Sequence, residues 1–129
     1  MRLRGGPTKF AGVRAPEINE KDDGTWKKVT DVALVSDVNG VACAPAGAPA
    51  DGGKVVVVGG GSLKLRLVGG AWQSDFGAVP YTDLHGAWID PTGALWGVGG
   101  NFLGSPRAGA TRDGVIARYA AGVVSGAVQ

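Results

Sequence analysis

Few side chains in this chain are equipped for chemistry. His85 is the single histidine and Cys43 the single cysteine among 129 residues. Close to His85 in sequence stand Trp88 and a polar stretch carrying Asn101, Arg107, Arg112 and Asp113. An imidazole near two arginines suits recognition of an anion, because guanidinium forks match carboxylate and phosphate oxygens. It suits a sugar equally, and an exposed indole such as Trp88 stacks on a sugar ring. These six residues are the candidate ligand-binding set. The plainer alternative has His85 capping a strand, Arg112 and Asp113 as a solvated pair, and Trp88 and Trp96 as core.

Other chemistries lack their residue patterns. One histidine and one distant cysteine fall short of the three or four ligands that zinc requires. Asp22 and Asp23 lack the alternating acidic spacing of a calcium loop. Ser62 follows three glycines, but the Gly-x-Ser-x-Gly elbow is absent. The glycine runs at 59–61 and 99–100 have neither the lysine nor the helix context of a phosphate loop. Asp83, Asp90 and Asp113 are the carboxylates available for a glycosidase pair, with no spacing to test it. Cys43 has apolar neighbours and reads as a buried, inert thiol. The sequence therefore predicts no catalysis, no metal and no cofactor.

Composition narrows the partners. The net charge of +2 is too small to imply nucleic acid or an anionic membrane. No apolar run approaches the ~20 residues needed to span a bilayer. The N-terminal MRLRGGPTKF is basic but has no apolar signal segment. No address is thus readable; a piece of an exported protein would be extracellular or periplasmic.

The elements that must position these residues are strands. Glycine (24 residues) and proline (seven) break helices and supply turns, and valine is frequent. Residues 1–23 read as an irregular segment in which RLRGG and KFAGV could each form a short strand and PEINEKDDG is a polar loop. Beyond it the chain resembles itself. A shift of 46 residues, the spacing of Asp37 and Asp83, lays Gly24-Thr25-Trp26 on Gly70-Ala71-Trp72. The same shift lays Asp37–Val41 on Asp83–Ala87 and Pro45 on Pro91. With loops skipped, Val57–Gly60 falls on Gly97–Gly100 and Leu65–Gly70 on Ala117–Gly122. A period in the forties is the length of a four-stranded propeller blade. The units are residues 37–75 and 83–125, with 24–36 as the last strand of an incomplete unit and a linker. Alternation along 84–89 predicts Ala87 and Ile89 on one face, Leu84 and Trp88 on the other.

LHGAWIDPTGALWGVGGN, followed by GVIARY, and the Gly-x-Trp motif resemble the repeats of bacterial β-propeller proteins of the WD-repeat/YVTN/BNR-like group. The resemblance covers 24–125, closely in the second unit and loosely in the first. It implies an all-β fold of antiparallel four-stranded blades, about two per chain, and carries no activity with it. In such a blade, the loop into the inner strand and the loop joining the second and third strands share one side. That would put His85 and residues 101–114 together. The alternative architecture is a small β-sandwich.

Two blades cannot close a ring, which takes four to eight. Three expectations follow: copies of the chain assembling into a ring, missing blades in a longer chain, or a sandwich. The expected function is a non-catalytic interaction or structural module. The alternative is a propeller of several copies that binds carbohydrate, a small anion or another small ligand.

Overall fold

The computed structural model describes residues 2–10, 13–22, 24–34, 36–75, 80–101, 113–120 and 123–128. Among them there is no helix. Eleven strands follow one another: β1 (Arg2–Phe10), β2 (Val13–Asp22), β3 (Thr25–Lys28), β4 (Val38–Cys43), β5 (Val55–Gly59), β6 (Lys64–Val68), β7 (Ala71–Ser74), β8 (Leu84–Ile89), β9 (Leu95–Gly100), β10 (Gly114–Ala120) and β11 (Val123–Val128). They form three antiparallel sheets, each an up-and-down meander: β1-β2-β3, β4-β5-β6-β7 and β8-β9-β10-β11. No sheet closes on itself.

Strands β1 and β2 correct the expectation of a largely irregular segment with a polar loop at PEINEKDDG. β1 and β2 pair without interruption from Arg2↔Lys21 to Phe10↔Val13. The polar composition of PEINEK concealed a strand, because among its described side chains only Ile18 enters the core, at 1% exposure. One apolar residue cannot set a readable alternation.

The sheets stack face to face in chain order. Ile18 of the first sheet packs with Val55, Val57, Leu65 and Leu67 of the middle sheet. The opposite face of the middle sheet supplies Val56 and Val58, which pack against Leu84, Ile89 and Leu95 of the last. β5 is buried along its whole length. A continuous valine run is the sequence of such a strand, covered on both faces. β4 lies against β1 on one side and β8 on the other. There Gly40 matters: a Cβ would come within 3.1 Å of the β8 backbone at Gly86 and Ala87.

The two four-stranded sheets share one pairing scheme. In the middle sheet Val38 pairs with Gly59, Gly40 with Val58 and Ala42 with Val56, with a bulge between Val38 and Gly40. In the last sheet Leu84 pairs with Gly99, Gly86 with Val98 and Trp88 with Trp96, with the bulge between Leu84 and Gly86. Arg66 opposite Val56 answers to Arg118 opposite Trp96. Both bulges are closed alike: Gly60 N–H donates to the Asp37 carbonyl and Gly100 N–H to the Asp83 carbonyl. A Cβ at Gly59 or Gly99 would collide with those same carbonyls.

The bulge also corrects the expected alternation along β8. One extra residue is accommodated at His85, so the period-two pattern breaks there. Leu84 consequently joins Ala87 and Ile89 on the face toward the middle sheet. Trp88 alone of that set stays on the far side.

Candidate functional site

The six candidate residues separate into two places and a remainder. His85 occupies the bulge of β8 and is exposed. Asn101 and Asp113 flank the β9–β10 connection at the same edge, where Asn101 N–H donates to the Asp113 carbonyl at 3.1 Å. Both are exposed. Arg107 and Arg112 lie outside the described residues. Trp88 belongs elsewhere, on the outer face of the last sheet. The carboxylates are likewise split: Asp83 and Asp113 stand at the His85 edge. Asp90, beyond the far end of β8, is separated from Asp83 by roughly 20 Å of strand.

The His85 edge is tied to the neighbouring sheet. Asn39, in the matching bulge of β4, donates its side-chain amide to the Leu84 carbonyl at 3.0 Å. Asp83 accepts from Gly61 N–H at 2.7 Å. Below lies Ser62, a non-glycine residue at φ 71°. Its hydroxyl donates to the Pro80 carbonyl at 3.2 Å. Lys64 Nζ donates to Ser62 Oγ (2.7 Å), the Ser62 carbonyl (3.0 Å) and the Pro80 carbonyl (2.8 Å). Burial pushes the Lys64 pKa down. Serine beside lysine is the pairing of some acyl-transfer enzymes. Here all three ammonium protons are engaged and Ser62 is buried at 5% exposure. The ammonium acts as a clamp on the β5–β6 turn, which offsets the left-handed backbone of Ser62.

Between the middle and last sheets runs a second polar network. Arg66 is buried and paired with Asp75 through Nε and Nη2. Its Nη1 donates to the Gly52 carbonyl at 2.7 Å. The guanidinium lies 4.1 Å from the Tyr119 ring centre. Asp75 raises the Arg66 pKa further. The adjoining cavity, lined by Arg66, Leu84, Leu95 and Tyr119, measures about 60 Å³. That admits a few waters, far less than the several hundred Å³ of a usual small-molecule site.

The outer face of the last sheet differs in character. Trp88 is 56% exposed, Ile116 53% and Val98 46%. Trp88 stacks on Trp96 with ring centres 6.0 Å apart, and Arg118 lies over Trp96 at 5.6 Å. The row Trp88, Trp96, Arg118 therefore crosses three strands. Asp90 anchors its end. Oδ2 accepts from Trp96 Nε1 at 2.9 Å. Oδ1 accepts from Thr92 N–H, Thr92 Oγ1 and Ala94 N–H. Hydrogen bonds from Thr92 and Trp96 hold the Asp90 pKa down at about 2, because each favours the charged form. Asp90-Pro91-Thr92-Gly93 is a turn sequence with aspartate first, proline second and glycine last.

The sequence reading passed over Val98, Ile116 and Arg118. Their signal was present in the self-comparison. They correspond to Val58, Lys64 and Arg66, a face that the following sheet covers. Cys43 is corrected too: it is exposed at the end of β4, where the matching Ile89 is buried. Partial desolvation raises its pKa, which disfavours the reactive thiolate. Among the described residues, no three His, Cys, Asp or Glu side chains converge as a metal site. No helix among them is long and apolar enough to cross a membrane. Comparison with protein-family models, curated proteins and solved structures returns no match.

Proposed function

We propose that this protein is a non-catalytic interaction module built from propeller-type blades, whose working surface is the outer face of β8–β11. One observation carries the reading. The middle and last sheets share pairing, bulge and glycine positions, yet one outer face is covered and, among the described residues, the other is open. In the middle sheet the positions Ala42, Val56, Val58 and Arg66 receive Leu84, Ile89, Leu95 and Tyr119 of the next sheet. In the last sheet the same positions, Trp88, Trp96, Val98 and Arg118, await a sheet of the same kind. The three-stranded first sheet and the contacts of β4 with both neighbours fit a stack of blades with their first strands inward. The covering sheet would come from another copy or from a longer chain.

The test is to append a second copy of residues 80–129 behind the chain. The added sheet should stack, and Trp88 and Trp96 should become shielded from acrylamide quenching. An unfolded appendage and unchanged quenching would remove the reading.

Trp88 supports a second reading. Its exposed ring, with Asp90 and Arg118 nearby, has the makings of a carbohydrate platform. The His85 edge would be a separate small-anion site. Binding of a neutral oligosaccharide raises the melting temperature by mass action. Loss of that shift in Trp88→Ala, but not in His85→Ala, would assign the sugar to the sheet face. A shift unchanged in Trp88→Ala would rule out that assignment.

A further inference from the structure

The open face can be assigned an occupant, given the reading of it as a docking surface. Three observations decide which. The first is the chemistry of the opposite end of the stack. On β2, Ile18 turns inward, so Glu17, Asn19 and Lys21 turn outward. Asn19 bonds to Glu17 at 3.0 Å, and Lys21 lies over Trp26 at 5.9 Å. Lys28 pairs with Asn19 on that same face. Among its described side chains this end carries two lysines beside Glu17 and the exposed Trp26. Trp26 is its one large exposed apolar group among the described side chains, against Trp88, Val98 and Ile116 on the open face, so a head-to-tail contact is the poorer apolar match. A ring of copies is disfavoured on this ground.

The second observation is that the open face complements itself. Its apolar centre is Trp88, Trp96, Val98 and Ile116. Asp90 lies on the β8 side of Trp96 and Arg118 on the β10 side. A two-fold axis lying in the interface along β9 exchanges those sides. It brings Arg118 of each copy opposite the other's Asp90 while Trp96 meets its equivalent at the axis. The strands of the two sheets then run nearly aligned, the ordinary geometry of packed sheets.

The third is size. Four strands ~4.8 Å apart and about six residues long give a face of roughly 400 Å². Two such faces fall near the low end of specific interfaces, roughly 1,000 Å² once side-chain relief is counted. The area fits a reversible pair, not an obligate one.

We infer that two copies of this chain associate face to face through Trp88, Trp96, Val98 and Ile116, with Arg118 of each copy paired to Asp90 of the other. The dissociation constant is on the order of micromolar, as small interfaces allow.

Light scattering and sedimentation on the full chain test this across a concentration series. The expected result is a monomer–dimer equilibrium. Ile116→Lys and Trp88→Lys should abolish the dimer with circular dichroism unchanged. Lysine is tolerable at 116 because Lys64 holds the matching position in the middle sheet. Arg118→Glu, set against the second copy's Asp90, should weaken association at least tenfold, and Arg118→Lys much less. A monomer at all concentrations, a trimer or longer series, or a dimer indifferent to Ile116→Lys would each overturn the inference. The chain with an appended sheet separates this from the broader reading, since an added sheet can cover the face without any two-fold.

Discussion

Asp90 shows how much one side chain can organise. Its carboxylate receives four hydrogen bonds that fix the 90–94 turn and orient Trp96. Because these bonds lower its pKa to about 2, the stability they contribute has a defined pH window. It is fully present above the ordinary aspartate range and is lost as pH falls through about 2. Asp90→Asn should therefore have a lower urea midpoint than the parent at pH 6. The gap should narrow as the parent carboxylate protonates toward pH 2. A gap constant across that range would mean the charge of Asp90 is not what the turn uses. The motif Asp-Pro-Thr-Gly made the turn legible in the sequence. The bond to Trp96 was not, because a side-chain contact across the hairpin depends on rotamers and sheet twist. His85 was legible by rarity and by its place in the repeat. Only the pairing register places it in a bulge, where its counterpart in the middle sheet is Asn39.

At the scale of elements, register and bulge decide what each strand presents. Gly59 and Gly99 admit the carbonyls of Asp37 and Asp83, so their substitution cannot be accommodated by a side-chain shift. Gly99→Ala should push β8 away from β9 and lower stability sharply. Gly114→Ala, where a Cβ meets nothing within 4 Å, should be nearly silent. Thermal unfolding of the pair is the check, and equal losses would dispose of the argument. Leu84→Ala should cost about 2–5 kcal/mol, as truncation of a fully buried leucine does, because the bulge turns Leu84 into the interface between sheets. Strict alternation would have made it a mild surface change. The self-similarity of the chain gave the strands of residues 37–125 readable positions, since turns and glycines recur together. Short strands at RLRGG and KFAGV were readable, but β2 escaped because PEINEKD is polar and its partner strands lie in the same short segment. Nothing elsewhere in the chain matches them clearly.

For the molecule as a whole, burial is graded along the stack. β5 is covered on both faces, whereas β3 is exposed throughout. Amide exchange should be slowest in Val55–Val58 and fast in Thr25–Lys28, because local opening follows buried contact density. Comparable exchange in the two strands would contradict a core centred on the middle sheet. The all-β class was readable from composition. The open aromatic face was not, since tryptophan in a strand reads as core until the next sheet is found to be missing from above it.

The contrast between the two ends of the stack has a further consequence. A protein with matching adhesive surfaces at both ends can add copies indefinitely, as open heterologous contacts do. In the face-to-face pairing we infer, this chain uses one self-complementary face, while the opposite end carries Lys21 and Lys28 beside Glu17 and Trp26. Its valency in that pairing is one. Raising the concentration should saturate association rather than propagate it, so that turbidity stays flat where a two-ended stack would grow into filaments.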